Sequence, residues 1–405
     1  MTDTKLGMAP LLGDYRGLKS FGNGVHLLEL WSNVGMVETD DGVVLFDCGF
    51  EFTGPRIVEE LRKLTDKPVA YIIYGHGHAD HAFGASAVIA DAEARGYPRP
   101  IIVAHQAVND RFDRYREMQK YHEHINRIQF DIPDALPAFS KNYLYPNLTY
   151  HDAMSFRLGG LTFELRHAQG ETDDTTWMYV PERRAAFVSD LWVWSCPNIG
   201  NPFKVQRFEV EWARALEAVA ARRPALLLPG HGPALAGEDE IATACLTVAK
   251  ALRFLHDQVV GMLNAGKWQE EILHEFKWPD EFAGSPWLAP VYGHPYFIVQ
   301  AILRRYHGWY DGNPTHLFPA RAAEVAAEVA GLAGAGRLLE RAQELEGKGE
   351  YQLALHLVDY VMDAGAAEAD QARELKIKLL EELGRGEKSL IARNIYLVSA
   401  KRMKK

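Results

Sequence analysis

Along the first 235 residues, short runs rich in β-branched and aromatic residues alternate with stretches whose apolar positions have helical spacing. Residues 56–64 and 85–94 place apolar side chains on one helical face and predict two helices. The predicted strands are residues 25–30, 43–46, 69–74, 161–165, 175–180, 185–188 and 225–228. Strands that alternate with helices favour a layered α/β fold in which helices cover the sheets.

Residues 105–150 interrupt this alternation. Their first half is polar with helical spacing, whereas Pro133, Pro137 and Pro146 interrupt the second half. Proline lacks the amide hydrogen that a helix or a central strand needs, so we expect the second half to be mostly loop.

The pattern changes again after Pro319. All 20 prolines, all nine tryptophans and all three cysteines lie at or before this residue, and the tail is rich in Ala, Glu and Leu. Apolar residues such as Val325, Val329 and Leu332 recur there at helical spacing. We therefore predict a separate bundle of four or five helices.

Charge and composition narrow the classes of partner. The chain of 405 residues has 54 acidic and 44 basic side chains, a net charge of -10, which disfavours nucleic-acid binding. An anionic substrate would need a local cluster of Lys or Arg. No basic start precedes an apolar run and no window approaches 18 apolar residues, so we expect neither a leader nor a membrane partner. Three widely spaced cysteines favour a reducing, cytoplasmic setting.

The strongest chemical signal follows the predicted strand 69–74. His76, His78, Asp80 and His81 lie within six residues, at the carboxyl end of a strand, where open α/β sheets carry their ligand sites. Imidazole nitrogens and carboxylate oxygens are ligands that suit zinc and neighbouring divalent ions. The motif therefore predicts a metal site at this strand end.

Two weaker signals lie downstream. Glu171 follows one predicted strand, and Asp190 closes another nineteen residues later. His231 lies in a Pro-Gly-His-Gly segment after the strand at 225–228. Each signal alone is ordinary loop chemistry, and it is their order along the chain that makes them informative.

In this order the motifs resemble the metallo-β-lactamase superfamily over about residues 20–235. The resemblance implies an αβ/βα sandwich, here followed by an all-helical C-terminal domain, and a pair of divalent metal ions. It implies that one metal is bound by His76, His78 and Glu171, the other by Asp80, His81 and His231, and that Asp190 bridges them. It also implies that Asp47, which follows the strand 43–46, supports the site from behind its ligands. Zinc is the metal we expect, and the carboxylate at Glu171 leaves iron and manganese open.

Glu171 stands where most of the superfamily has His, and this substitution is similar to the alkyl-sulfatase branch. His167 is the competing ligand, but the nineteen-residue interval to Asp190 favours Glu171. In alkyl sulfatases we expect Glu at the bridging position as well, where this chain has Asp190. Residues 308–317 and 393–397 resemble the helical dimerisation domain of the same branch, a likeness that spans about residues 290–405.

These resemblances imply the domain limits and the oligomer that we expect. A metallo-β-lactamase-like catalytic domain spans 1–260, a helical and loop connector that contributes to the cleft spans 261–318, and an all-helical dimerisation domain spans 319–405. The chain is expected to form a homodimer through its C-terminal helices. Larger family members carry a further lipid-transfer-like domain that is missing from this sequence, so we do not carry over their preference for long-chain surfactants.

The implied activity is hydrolysis by a hydroxide that bridges two metals, with a small anionic sulfate ester as substrate. The sulfate would need fixed donors, for which Asn198, Lys204 and Arg207 are the candidates. Asp80 is expected to take part in catalysis as well as in metal binding, and His294 or Tyr292 to protonate the leaving alcohol. The aromatic side chains that could form an apolar wall are Trp192, Trp194, Phe203, Tyr292, Tyr296 and Trp309.

Two other functions stay open at this stage. The same scaffold acts on other bonds, such as a lactone, a carboxylic ester, a β-lactam or a phosphodiester. A non-catalytic scaffold with structural metals is the second alternative, and a closed coordination sphere would distinguish it from an enzyme. The sequence does not choose between cleavage of the S–O and the C–O bond.

Overall fold

A computed structural model describes residues 17–404 of the chain. The residues fall into two compact units, of which the first contains residues up to 123 together with 137–307. The second contains 124–136 and the residues from 308 onward. Residues 124–136, which lie between two parts of the first unit in the sequence, therefore cluster with the C-terminal helices.

The first unit contains a seven-stranded sheet. Its strands, in spatial order, are β1 (Gly17–Ser20), β2 (Val25–Glu29), β3 (Val34–Thr39), β4 (Gly42–Phe46), β5 (Val69–Ile73), β6 (Ile101–His105) and β7 (Leu148–Tyr150). Strands β1 to β4 pair antiparallel, and β4 to β7 pair parallel. The parallel strands β4 and β5 therefore present their carboxyl ends at the same edge of the sheet.

A six-stranded sheet forms the second layer of this unit. Its strands are β8 (Ala153–Leu158), β9 (Leu161–Ala168), β10 (Thr175–Val180), β11 (Ala185–Ser189), β12 (Leu226–Pro229) and β13 (Leu235–Ala236), in that spatial order. All neighbours are antiparallel except β11 and β12. The parallel pair brings the ends of β11 and β12 to one edge.

The helices of the first unit cover the outer faces of both sheets. They are α1 (Gly54–Leu64), α2 (Ala79–Ala82), α3 (Ala85–Ala94), α4 (Ala107–Glu117), α5 (Gln119–Gln129), α6 (Glu209–Ala221), α7 (Glu238–Asn264), α8 (Gln269–Glu275), α9 (Asp280–Ala283) and α10 (Pro295–Tyr306). The last residues of α5 belong to the second unit. Between the sheets, one buried cluster joins side chains of both, and the rings of Phe46 and Phe187 lie 5.7 Å apart. Two further clusters pack α1, α3 and α4 on the first sheet and α6, α7 and α10 on the second. This is the αβ/βα sandwich that the sequence analysis predicts.

The second unit is helical. After residue 308 it contains α11 (Ala322–Ala333), α12 (Ala335–Gly347), α13 (Tyr351–Asp363), α14 (Ala369–Gly386) and α15 (Leu390–Met403), around a core that includes Leu339, Val358 and Leu379. Asn394 of α15 donates from its side-chain amide to the carbonyl of Gln129 at 2.8 Å, which anchors the segment 124–136 on this bundle. The prediction of four or five helices in the tail is confirmed.

The sequence analysis missed six strands: β1, β3, β6, β7, β8 and β13. Strands β1, β7 and β13 have only two to four residues, too few for a pattern search to detect. Strand β8 turns Met154, Phe156 and Leu158 towards the core, but it lies at the edge of its sheet and its other face is exposed. Strand β6 is only five residues long and runs directly into the polar helical stretch, and only four residues separate β3 from β2. Within residues 17–404, none of the helices has both the length and the apolar composition needed to cross a bilayer.

Candidate metal centre

The loop after β5 brings its histidines into contact with one another. The Nε2 atom of His76 lies 2.8 Å from the Nδ1 atom of His78. His76 and His81 are fully buried, because β5 and the one-turn helix α2 enclose the loop. The short spacing in sequence therefore becomes a cluster of imidazoles in space.

Asp190, which follows β11, lies at the middle of this cluster. Its Oδ2 atom is 3.8 Å from Nε2 of His76, and its Oδ1 atom is 3.3 Å from Nε2 of His81. The same Oδ1 lies 3.4 Å from Nε2 of His231, which comes from the turn after β12. Since β11 and β12 are parallel neighbours, their ends deliver both side chains to one edge.

Glu171 and Asp80 complete the arrangement from two other directions. The Oε1 atom of Glu171, in the loop between β9 and β10, lies 3.9 Å from Nδ1 of His78. The Oδ2 atom of Asp80 lies 3.6 Å from Nε2 of His231. Ligand atoms that lie within 4.8 Å of one another form three groups: His76 with His81 and Asp190; Asp80 with His81 and His231; and His78 with Glu171 and Asp190. All seven residues that the resemblance implied as ligands meet at this edge.

Asp47 supports the cluster from behind. Its carboxylate lies 2.8 Å from Nδ1 of His81 and accepts hydrogen bonds from the Gly75 amide at 2.6 Å and the Ser189 hydroxyl at 2.9 Å. Because Asp47 engages Nδ1 of His81, Nε2 is the ring nitrogen that faces Asp190. Asp47 has a φ of 63°, a left-handed conformation that Asp tolerates better than most residues.

The turn that carries His231 needs a glycine beside it. A Cβ atom at Gly230 would lie 2.1 Å from Oδ1 of Asp190, so only glycine leaves room for that carboxylate. Asn33 holds the same turn by donating its side-chain amide to the carbonyls of Pro229 and Gly232, at 3.0 and 2.7 Å.

The electrostatics divide the cluster into two halves. Burial lowers the pKa of His76 to about 4 and that of His78 well below its usual range, so both imidazoles are neutral at physiological pH. Burial also opposes charge on His81, but Asp190, Asp80 and Asp47 together raise its pKa well above the usual range. His81 and His231 in turn hold the pKa of Asp190 well below normal although burial raises it. Positive charge is therefore stabilised beside Asp190.

These donors fit divalent cations. Nε2 of His81 and Oδ1 of Asp190 are buried and lie 3.3 Å apart, but neither makes a hydrogen bond of good geometry, which buried polar atoms almost always do. Neutral imidazoles whose nitrogens lie 2.8 Å apart, with carboxylate oxygens beside them, match the nitrogen and oxygen ligands of zinc and similar ions.

The candidate sulfate-binding residues lie against Glu171. Arg207 donates to Oε1 of Glu171 and, at 2.5 Å, to the carbonyl of Asn198, while the Asn198 amide donates to the same Oε1 at 2.8 Å. Arg207 is buried and is therefore not a solvated surface charge. Burial, with the Arg207 charge nearby, lowers the pKa of Lys204 to about 7.

The two candidate general acids are differently placed. Burial, reinforced by the negative charges of Glu171 and Asp80, raises the pKa of Tyr292 well above its usual range. His294 is the N-cap of α10, and its Nδ1 accepts a hydrogen bond from the amide of Tyr296 at 3.1 Å. In the neutral ring the proton is therefore on Nε2.

The proposed aromatic wall is dispersed. Trp192 is only 2% exposed and packs in the core with Trp194 and Trp287, whereas Trp309 belongs to the second unit and is 75% exposed. His167, the competing ligand, stacks on His105 and lies 2.8 Å from the Asp173 carbonyl. It is outside the three ligand groups found among residues 17–404.

Sequence analysis missed the residues that hold the ligand loops from behind. Arg111, Asp174, Ser189 and Asn33 are all buried and hydrogen-bonded to backbone or side chains of these loops. Asn33, Asp174 and Ser189 show only polarity beside a predicted strand end, which exposed turns share, and Arg111 lies within the polar helix α4.

The chain is similar to known proteins along most of its length. Residues 30–231 match the family model of the metallo-beta-lactamase superfamily, and residues 269–405 match the model described as alkyl sulfatase dimerisation. A linear primary-alkylsulfatase from Pseudomonas sp. is 26% identical over 388 residues, covering 90% of this chain and 72% of the relative. The alkyl/aryl-sulfatase of Saccharomyces cerevisiae is 25% identical over 398 residues, covering 91% of this chain and 60% of the relative.

A solved structure shares the fold. The stereoselective inverting sec-alkylsulfatase from Pseudomonas sp. superposes with a TM-score of 0.84 at 22% identity, covering 96% of this chain and 65% of that protein. The chain thus spans less than two thirds of the solved relative and of the yeast relative.

Proposed function

Because the chain belongs to the metallo-beta-lactamase superfamily and carries an alkyl sulfatase dimerisation region, we propose that it is a metal-dependent hydrolase that cleaves an alkyl or aryl sulfate ester. The observation that carries this proposal is the convergence of seven residues with nitrogen and oxygen ligand atoms, Asp190 among them, at one edge of the sheets. The names of its relatives supply the sulfate ester as the substrate class.

We assign one cation to His76, His78 and Glu171, the other to Asp80, His81 and His231, and a position between them to Asp190. When bound, two divalent cations, zinc being the first choice, supply Lewis acidity and lower the pKa of a shared water. Asp47 fixes the ring of His81 in the orientation that binding needs, and Asn198 and Arg207 fix Glu171. These contacts hold the ligands ready before a cation arrives.

Substrate positioning falls to the residues around Glu171. Asn198, Lys204 and Arg207 place donors and positive charge beside the ligand cluster, which suits the oxygens of a sulfate group. Tyr292 keeps its proton at neutral pH because burial and the nearby carboxylates raise its pKa, so its hydroxyl can donate to the leaving oxygen. His294 is the second candidate for that proton.

We also propose that the protein is a homodimer formed through its C-terminal helices. Helix α11 buries only Ala326 and Ala330, while Val325 and Leu332 are exposed. An apolar helix with so small a buried face needs a partner surface. The match of this region to the alkyl sulfatase dimerisation model favours a second copy of the chain as that partner.

A substrate panel tests the proposed bond. Zinc-loaded protein would be assayed with octyl sulfate, 4-nitrophenyl sulfate, 4-nitrophenyl phosphate, 4-nitrophenyl acetate and a γ-lactone. We expect kcat/KM for a sulfate ester to exceed the other values by about 100-fold or more, because the other substrates do not use the same donors. Faster turnover of a lactone or a carboxylic ester would contradict the sulfatase proposal but not the proposed metal centre.

A further inference from the structure

Two residues without an assigned role, Arg111 and Asp174, lie directly behind the ligand loops. Asp174 is fully buried and Arg111 is 4% exposed, so neither is a surface charge. The Nε atom of Arg111 donates to Oδ2 of Asp174 at 2.6 Å, and its Nη2 contacts Oδ1 of Asp173. We call this pair the Arg111–Asp174 brace.

The brace holds the loop between His76 and His78. Oδ2 of Asp174 accepts the backbone amide of Gly77, the residue between the two histidines, at 3.2 Å. A Cβ atom at Gly77 would lie 2.8 Å from Cδ of Arg111 and 3.0 Å from Oδ2 of Asp174, so the loop rests directly on the pair. The backbone on the same side is tied as well, because the Thr176 amide donates to the Gly75 carbonyl at 2.7 Å.

The brace also reaches Glu171 through the chain. Asp174 lies three residues after Glu171 and immediately before β10, so it anchors the end of the loop that carries this ligand. One buried carboxylate thus links the His76–His78 loop to the Glu171 loop, and Arg111 links both to α4. A charge-assisted hydrogen bond in a buried position is stronger and more directional than a neutral one.

The other ligands have supports outside the brace. His81 is held by Asp47, which also accepts the amide of Gly75 beside His76. The Asp80 carbonyl accepts from the Ser32 hydroxyl, and the His231 turn is held by Asn33. No hydrogen bond within the described part of the chain joins these supports to Arg111 or Asp174. A change in the brace should therefore act on one side of the centre.

We propose that Arg111 and Asp174 are positioning residues that set the placement of His78 against Glu171, and that they control the affinity of the His76–His78–Glu171 side for its cation. The Asp80–His81–His231 side keeps its own cation when the brace is lost. This inference rests on the proposed metal centre and not on the identity of the substrate.

The test is Zn²⁺ binding to Asp174→Asn, a substitution that keeps the shape of the side chain and removes its charge. Full-length protein would be stripped with a chelator and titrated with Zn²⁺ against a chromophoric competitor, and bound zinc would be counted by elemental analysis. We expect two Zn²⁺ per wild-type chain, and in the variant one unchanged site and one weakened by about 10- to 100-fold.

Asp91→Asn is the matched control. Asp91 pairs with Arg62 at 2.5 Å with both side chains nearly buried, but the pair joins α1 and α3 and contacts none of the seven ligands. This control should bind two Zn²⁺ with wild-type affinities. Arg111→Lys keeps the positive charge but loses the planar guanidinium, so it should weaken the same single site by about 10-fold. This variant replaces Asp174→Asn in the test if Asp174→Asn does not fold.

Each outcome decides the proposal. Two unchanged sites in Asp174→Asn and Arg111→Lys would overturn it, and so would equal weakening of both sites or the same loss in Asp91→Asn. Wild-type protein that binds no Zn²⁺ would contradict the metal centre itself, and the brace with it. A centre that binds two Zn²⁺ but releases no sulfate would contradict only the proposed function.

Discussion

At the scale of single residues, Glu171 carries two functions. It is a candidate metal ligand, and its carboxylate also neutralises the buried guanidinium of Arg207. Removing one partner of a buried ion pair leaves an uncompensated charge, which typically costs about 3–5 kcal/mol. The sequence analysis identified Glu171 from its spacing, but the pairing with Arg207 joins residues 36 positions apart and has no local signature.

Glu171→Gln should therefore lose both activity and stability. We expect kcat/KM for a sulfate ester to fall by at least about 100-fold and the free energy of unfolding by about 3 kcal/mol. Adding Arg207→Met removes the stranded charge and should restore part of the stability without restoring turnover. Denaturant unfolding and steady-state kinetics on the single and double variants measure both effects, and full activity in Glu171→Gln would exclude this residue as a ligand.

A second prediction concerns pH. His105 stacks on His167 with ring centroids 3.7 Å apart, and burial, followed by the nearby His167, lowers the pKa of His105 to about 4 from 6.5. The folded protein favours the neutral ring of His105. The contribution of this preference to the free energy of unfolding is complete above pH 6.5 and is lost as pH falls from 6.5 towards 4. The loss should amount to about 2–3 kcal/mol.

Replacing His105 with Phe keeps a ring on His167 and removes the titration. Unfolding free energies measured from pH 7.5 to 4.5 should fall less steeply in this variant than in the wild type. His151→Phe, the same substitution at an exposed histidine, is the control. Parallel pH profiles for wild type and His105→Phe would contradict the assignment.

At the scale of elements, strand ends explain why the motifs could be identified from sequence. Six of the seven candidate ligands come shortly after β5, β11 or β12, and Glu171 comes after β9; β5, β11 and β12 are apolar runs that a pattern search detects. The strands that escaped detection are short or lie at a sheet edge: β1, β7 and β13 have only two to four residues, and β8 is an edge strand with one exposed face. The supports of the ligand loops escaped because tertiary contacts alone distinguish them from surface turns.

The turn after β12 offers a test at this scale. In Gly230→Ala the added Cβ would meet Oδ1 of Asp190 at 2.1 Å, so Asp190 or the turn must move. We expect Zn²⁺ affinity to fall by at least about 10-fold, as for other changes just behind metal ligands. Gly261→Ala is the control: nothing lies within 4 Å of its Cβ, and the residue lies inside helix α7. That change should add about 0.5–1 kcal/mol of stability and leave Zn²⁺ binding intact.

At the scale of the whole molecule, composition predicted the division into a mixed sandwich and a helical tail. The loss of Pro, Trp and Cys after Pro319 coincides with the start of the α11–α15 bundle. Composition gave no sign that residues 124–136 would cluster with that bundle, because their contacts to α15 join positions more than 250 residues apart. Long-range contacts of this kind leave no periodicity in the sequence.

The proposed dimer can be tested on the exposed face of α11. Leu332 is 86% exposed, and a charge there would meet an apolar surface of the second copy. Leu332→Lys should shift the molar mass measured by light scattering from a dimer towards a monomer. Leu353→Lys on α13, at a side chain that is 50% exposed, should leave the dimer intact. A dimer that persists in Leu332→Lys would remove this face from the interface.

The most direct test of the account follows sulfate release while Zn²⁺ is added back to chelator-stripped protein. Sulfate from octyl sulfate would be quantified at zero, one, two and three equivalents of metal per chain. We expect negligible release from the stripped protein and a rate that reaches its plateau at two equivalents, since both halves of the ligand cluster must be filled. Sulfate release that continues at full rate without metal, or no release from protein that carries two equivalents of Zn²⁺, would contradict the proposed metal-dependent sulfatase activity.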